Sequence, residues 1–209
     1  MASRRTHTES GLERKSQLLD AATALFSEKG YANTRIADIC AAAGVAKGLF
    51  YWYFDNKEAL FRELEESIRL RLRREQGQAL DPDALPLVNI YRGTQASVLF
   101  MAAHANFFSL LDVEGRNFAD VIRRGTRQHI EDMVRIIEAG HADGSIREDD
   151  SELLAFGVVA CVGYYAHFHR TGRITMALPD LAAFVARYVV HSVAADEEAI
   201  RAALHAAGV

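Results

Sequence analysis

Between Lys47 and Phe54 the sequence KGLFYWYF sets five aromatic rings, one lysine and one glycine within eight residues. Those groups suit a polyanion. A lysine ammonium and tyrosine hydroxyls reach phosphate oxygens, a glycine lets backbone approach backbone, and a large apolar edge meets a thymine methyl. At about 100° per residue, Phe50 and Phe54 share one helix face, with Gly48 and Trp52 opposite. Lys47 and Tyr51 fall on one flank, Leu49 and Tyr53 on the other. A small helical unit cannot bury all five rings. Phe50 and Phe54 therefore read as core, and Tyr51, Trp52 and Tyr53, beside Lys47, Gly48 and Leu49, as a surface for duplex DNA.

That segment needs elements to hold it. Leu18, Leu19, Ala22, Leu25 and Phe26 recur at helical spacing, which predicts a first helix from about Glu13 to Lys29, stopped by Gly30. Thr34 resembles an N-cap for a second short helix whose apolar face is Ile36, Ile39, Cys40 and Ala43. Gly44 permits the turn into a third helix beginning near Ala46. A long supporting helix followed by two short ones across a glycine turn has the spacing of a helix-turn-helix. Asp55 and Asn56 offer the next cap, and Leu60, Phe61, Leu64 and Ile68 carry a fourth helix toward Arg74.

The run from Thr34 to Phe61, TRIADICAAAGVAKGLFYWYFDNKEALF, resembles the DNA-binding signature of the TetR (tetracycline-repressor) family of transcriptional regulators. The shared features are the AGV turn, the KG pair, the YxYF run and the KEALF start of the fourth helix, and the likeness covers about residues 14 to 64. The resemblance implies that Thr34 and the helix N-terminus at Arg35 bind a phosphate, that Lys47, Gly48, Leu49, Tyr51, Trp52 and Tyr53 line the groove, and that Lys57 meets another phosphate. It leaves Arg4 and Arg5 either as a minor-groove arm, about residues 1–12, or as a plain basic tail. Two positions depart from the pattern. Ala46 replaces a small hydroxyl residue, and Leu49 stands where a polar residue is common, which shifts base reading toward apolar contact.

Downstream the pattern stays helical. Asp81, Pro82, Asp83 and Pro86 mark a linker. Helices are then expected from about Leu87 to Leu111 with a break near Ala103 to Asn106, and over Asn117–Ala139, Ser151–Arg170 and Asp180–His205. Phe100, His104, Phe107, Phe108, Met133, Ile137, Phe156, Tyr164 and His167 could line an apolar cavity for a small molecule, with His129 a further polar candidate. Gly157 and Cys161 on one helix, and Phe184, Tyr188 and Ser192 on the next, look like an interface. The resemblance implies that these last helices pair two copies about a two-fold axis, and that the protein is a homodimeric repressor released from a palindromic operator by a largely apolar effector.

The expected fold class is thus all-α: a helix-turn-helix DNA-binding domain over residues 1–60, and a ligand-binding and dimerisation domain over 61–209. Composition agrees, with 50% hydrophobic residues, three prolines in 209 and no confident strand. The net charge of −4 is unevenly spread: the first 60 residues hold eight basic and seven acidic side chains, against sixteen and twenty-one in the rest. The polar start lacks a signal peptide's apolar core, and the longest apolar stretch, Leu153 to Phe168, is short for a membrane span, so a cytoplasmic location is expected. His167 and His169 would lie on opposite sides of a helix, and no cysteine cluster or nucleophile motif occurs, so neither metal, cofactor nor enzyme activity is expected. A regulator controlled by a protein partner, or by oxidation of Cys40 or Cys161, is the alternative to a ligand-controlled one.

Overall fold

The computed structural model describes residues 9–114 and 119–209, with side chains described for 11–114 and 125–209. The expected arm at Arg4 and Arg5 lies outside them. Among the described residues there are ten helices and no strand: α1 (Glu9–Lys29), α2 (Ile36–Ala42), α3 (Lys47–Tyr53), α4 (Lys57–Ala79), α5 (Pro86–Ala103), α6 (Ala105–Glu114), α7 (Ala119–Asp143), α8 (Ser151–Arg170), α9 (Leu178–Val193) and α10 (Glu197–Ala207). They fall into two compact units. One comprises Met1–Ile68 and Asn106–Val121, the other Arg69–Ala105 and Ile122–Val209. Instead of ending at residue 60, the first unit extends to Ile68 within α4 and takes in the α6 segment.

In the first unit the apolar stripes of four helices converge. Leu18, Ala22 and Phe26 of α1, Ile39 of α2, Phe50 of α3 and Leu60 and Phe61 of α4 are buried, each large side chain worth about 1.5–3 kcal/mol. Phe26, Tyr31 and Phe61 form one ring cluster with centroids 5.1 to 6.3 Å apart. The α2–α3 turn closes through Val45 N–H donating to Cys40 O at 3.0 Å, with Gly44 at φ 65°, a left-handed conformation in which a side chain is strained. Asn56 caps α4 as its position suggests, its side-chain oxygen accepting from Ala59 N–H at 2.8 Å.

In the second unit α5 is the central helix, packed on α8, α9 and α10. Its buried residues include Leu87, Ile90, Tyr91 and Val98, and α9 answers with Leu181, Val185, Val189 and Val190. The turn before α5 is clamped by Asn89, which accepts from Asp81 N–H at 2.9 Å and donates to Asp81 O at 2.8 Å. α4 reaches Ala79, and α5 ends at Ala103 with His104 as its C-cap, inside the expected break. The single helix expected over Asp180–His205 is two. Ala194 turns extended after α9, and Asp196 then caps α10 by accepting from Glu198 and Ala199 N–H at 2.9 and 2.8 Å. The break is fixed from outside, because Arg147 N–H donates to Val193 O and Ala195 N–H to Ser145 O, both at 3.0 Å. By length and composition α8 could cross a membrane, yet Leu154, Ala155, Val158, Val162 and Ala166 along it are buried in this unit.

Candidate nucleic-acid interface and effector cavity

α3 presents two opposed faces. Phe50 is fully buried and stands 5.5 Å, ring to ring, from the buried Phe54. Lys47 and Gly48 are exposed, and so are Tyr51 at 49% and Trp52 at 40%, far more than rings of that size keep inside a core. Leu49 is half-buried. Ala46 occupies the N-cap without a side-chain hydrogen bond, so the first N–H groups of α3 lack the cap that a hydroxyl residue would give. Lys47 Nζ lies 5.9 Å from the centroid of Tyr51. Nothing stands within 4 Å of a Cβ built on Gly48, so its backbone is open to close approach. Lys47, Gly48, Tyr51 and Trp52 thus form one continuous surface of a cation, bare backbone and π-faces.

Three residues expected to touch DNA, Thr34, Tyr53 and Lys57, have side-chain partners inside the protein. Thr34 is 1% exposed and its Oγ1 lies 2.8 Å from Gly30 O and 3.2 Å from Leu25 O, so the hydroxyl closes the end of α1. The N-cap of α2 is Arg35, exposed, whose N–H donates to the Asp38 carboxylate at 3.1 Å. Tyr53 is half-buried and donates its hydroxyl to Gly11 O at 2.6 Å, tying α3 to the start of α1. Lys57 donates to the carbonyls of Tyr31 and Thr34, the latter at 2.9 Å, and its ammonium sits 4.1 Å from the centre of the Tyr31 ring. Burial pulls the Lys57 pKa down, and the Glu114 carboxylate on α6 opposes that shift. Sequence spacing found these residues as part of the unit but could not tell a side chain that faces DNA from one that clasps the loop behind it.

The second unit holds a half-open cavity of about 470 Å³, within the range of small-molecule sites. Its apolar wall includes Met133, Ile136, Val158, Val159 and Val162, and its polar lining includes Arg73, Thr94, His129, Asp132 and Arg135. Arg73 bridges to Asp132 at 2.9 Å, and Arg135 pairs with the same carboxylate. Burial holds His129 below its ordinary pKa, while Asp132 raises and Arg73 lowers it. Gln76 donates to Ser97 Oγ at 2.8 Å and Ser97 donates to Gly93 O at 2.6 Å. Among the described residues the buried Thr94 hydroxyl has no hydrogen-bond partner.

Of the nine ligand candidates, Met133 lines this cavity. The others do not. Ile137 is fully buried core, and Phe100 is buried with its ring stacked 4.0 Å from His104, whose Nδ1 lies 2.9 Å from Phe100 O. Phe107 and Phe108 belong to the first unit. Phe156 and Tyr164 are on the open face of α8, and His167, near its end, packs against the Phe168 ring at 5.6 Å. The aromatic count was a poor guide because large rings fill core or face outward, whereas the lining uses small and branched side chains plus charged residues. Arg73, Asp132 and Arg135 sit in the polar runs RLRREQ and IEDMVR, which at sequence level look like solvated helix faces.

Of the interface candidates, Gly157, Phe184 and Tyr188 are exposed, and Cys161 and Ser192 half-buried. Tyr165 packs between the helices, 5.8 Å from Phe184 and 6.0 Å from Tyr188, ring to ring. Leu153, Phe156 and Tyr164 extend the exposed apolar face along α8. Burial pushes both cysteine thiols above their ordinary pKa, which lowers the share of reactive thiolate. Among the described residues no three His, Cys, Asp or Glu side chains gather to hold a metal.

A long supporting helix and two short helices joined by a glycine turn, the second with an exposed basic-aromatic face, define a helix-turn-helix DNA-binding protein. Residues 18–64 match the family described as bacterial regulatory proteins, tetR family. The chain is 31% identical over 150 residues to the HTH-type transcriptional repressor KstR2 of Rhodococcus jostii, covering 68% of this chain and 72% of that one. It is 29% identical over 152 residues to the repressor DhaR of a Mycobacterium species, covering 70% and 77%. In fold it is similar to the fatty acid degradation regulator FadR of Bacillus halodurans, with a TM-score of 0.78 at 19% identity over 89% of this chain and 97% of that one. The chain belongs to the TetR family of transcriptional regulators.

Proposed function

We propose that this protein is a cytoplasmic homodimeric repressor that binds a palindromic operator through α3 and leaves it when a small, largely apolar effector enters the cavity of the second unit. The observation that carries the DNA-binding half is the α3 face itself. Tyr51 and Trp52 are held outward beside Lys47 and Gly48 because Phe50 and Phe54 take the inward positions. Lys47 and Tyr51 position the helix on phosphates, Gly48 allows close approach, and Trp52 with Leu49 contacts base edges. The exposed Arg35, whose backbone N–H is held by Asp38, adds a phosphate contact through its side chain at the start of α2.

Dimerisation is supported by the exposed apolar face of Leu153, Phe156, Tyr164, Phe184 and Tyr188, which a monomer would leave in water. Two copies of α3 related by a two-fold axis read half-sites about 34 to 36 Å apart. The cavity, with its mixed lining, supports control by a ligand. The test combines footprinting on the DNA flanking the gene with the mass of the complex. A dimer protecting a symmetric site is expected, and a monomer protecting one asymmetric half-site would overturn the reading.

A further inference from the structure

The cavity lining is chemically divided, and the division specifies a ligand class. Met133, Ile136, Val158, Val159 and Val162 offer hydrocarbon. The charged part holds two guanidiniums, Arg73 and Arg135, and one carboxylate, Asp132, to which both are paired. Burial keeps His129 neutral near pH 7. The charged residues lining the cavity therefore sum to one positive charge. Each guanidinium carries five N–H donors, and a single shared carboxylate cannot accept from them all. A neutral apolar ligand would displace part of the water on these partly exposed groups without replacing it, and a cation would add repulsion. An anion supplies the missing acceptors and balances the charge, and a carboxylate matches the planar guanidinium fork. Thr94, whose buried hydroxyl has no partner among the described residues, adds a further polar group to the same lining.

Building on the ligand-controlled reading above, we propose that the effector is an amphipathic carboxylate, its apolar body against the Met133 and Val158 wall and its anionic head on Arg73 and Arg135. The head inserts into the existing ion-pair cluster, so that Asp132 shares its two arginines with a second carboxylate. Arg73 lies on α4 and Arg135 on α7, so one head group bridges two helices of the unit.

The test uses three probes with one chain length and three charges: decanoate, decan-1-ol and decylamine, titrated calorimetrically into the full-length protein at constant pH and salt. Decanoate is expected to bind at least tenfold tighter than decan-1-ol, with decylamine weakest. In Arg73→Gln, and separately in the more exposed Arg135→Gln, the ratio of acid to alcohol affinity falls toward one. Thermal melts identify a variant that has lost its fold, and the other arginine then decides. Equal binding of acid and alcohol, tighter binding of the alcohol or amine, no binding of any probe, or a preference that survives in folded variants would overturn the proposal. Operator affinity measured alongside separates this from the function it rests on. Decanoate that binds with the stated preference yet leaves operator affinity unchanged upholds the anionic head and counts against ligand control. Decan-1-ol that releases operator as well as decanoate does upholds ligand control and overturns the anionic head.

Discussion

Replacing Lys57 with methionine separates two roles for that residue which the sequence alone confuses. In the folded protein its ammonium donates to the carbonyls of Tyr31 and Thr34 and lies 4.1 Å from the Tyr31 ring. Hydrogen bonds to a charged group contribute about 1.5–3 kcal/mol, and a ring contact at a half-exposed site adds about 0.5–1. Methionine keeps the aliphatic stem and much of the packing, and Lys57 is only half-buried, so a loss near the low end, about 2 kcal/mol, is expected. For a chain of this size that lowers Tm by roughly 4–8 °C. The assays are a thermal melt followed by circular dichroism and operator titrations over a range of salt. A clasp leaves the slope of log K against log salt as it was, whereas each lost phosphate contact reduces it by about 0.9. Lys47→Met is the control, expected to reduce the slope by about that amount per protomer and to leave Tm unchanged. An unchanged Tm with a reduced slope in Lys57→Met would show that the ammonium serves phosphate and that the loop carbonyls are incidental.

Three further substitutions test other parts of the structure. Gly48→Ala should raise Tm slightly, since alanine is about 1 kcal/mol better in a helix and meets nothing within 4 Å, while operator binding weakens because the added methyl keeps the backbone from the groove; undiminished binding would remove Gly48 from the interface. Gly140→Ala drives a Cβ into the Ile146 side chain in a packed region, and a cost of about 1–3 kcal/mol is expected in denaturant unfolding, with no change in operator salt dependence at 25 °C. His129 is held below its ordinary pKa by burial, so between about pH 6.5 and its lower folded value the unfolded chain binds a proton that the folded chain refuses. Stability is therefore full above about pH 6.5 and falls as pH drops through that window; Tm profiles should be flatter in His129→Gln, and superimposable profiles would refute the assignment.

Much of the first unit was legible because its signals are local. The inward Phe50 and Phe54, the Gly44 turn and the Asn56 cap each follow from spacing within a few residues. What was not legible depends on contacts between distant residues. Nothing near Tyr53 in sequence says that its hydroxyl finds Gly11, 42 positions away, nor that Lys57 finds a loop 23 to 26 positions earlier. The break between α9 and α10 was hidden for the same reason. Ala194, Ala195 and Asp196 fit a continuing helix until Ser145 and Arg147 take their neighbours' backbone groups. Which residues line the cavity was hidden for a different reason. Ring size and polarity mark the candidates in the sequence, whereas the cavity is lined where α4, α5, α7 and α8 fail to fill space, and the charged residues there are recognisable only once the helices are in place.

α4 places chemistry for both proposed roles on one uninterrupted helix. Leu60, Phe61, Leu64 and Ile68 are core residues of the first unit, and Lys57 at its start holds the loop that leads into α2. Arg73, Gln76 and Gly77, further along, line the cavity of the second. No glycine or proline stands between Lys57 and Gln76, so no residue in that stretch offers an easy hinge. An effector whose head group rests on Arg73 therefore acts on the helix whose other end packs on α1, through Phe61 against Phe26, and holds the loop that leads into α2. Such coupling must be reciprocal. If the operator-bound arrangement of α4 is the one in which Arg73 receives the head group poorly, operator DNA weakens effector binding by the same factor as effector weakens operator binding, typically about 5- to 150-fold. A ligand that contacted the hydrocarbon wall of α7 and α8 without touching α4 would fill the same cavity and lack that route. The charge on Arg73 is thus proposed to do two things at once: it selects the head group, and it ties the selected ligand to the helix through which DNA binding can respond.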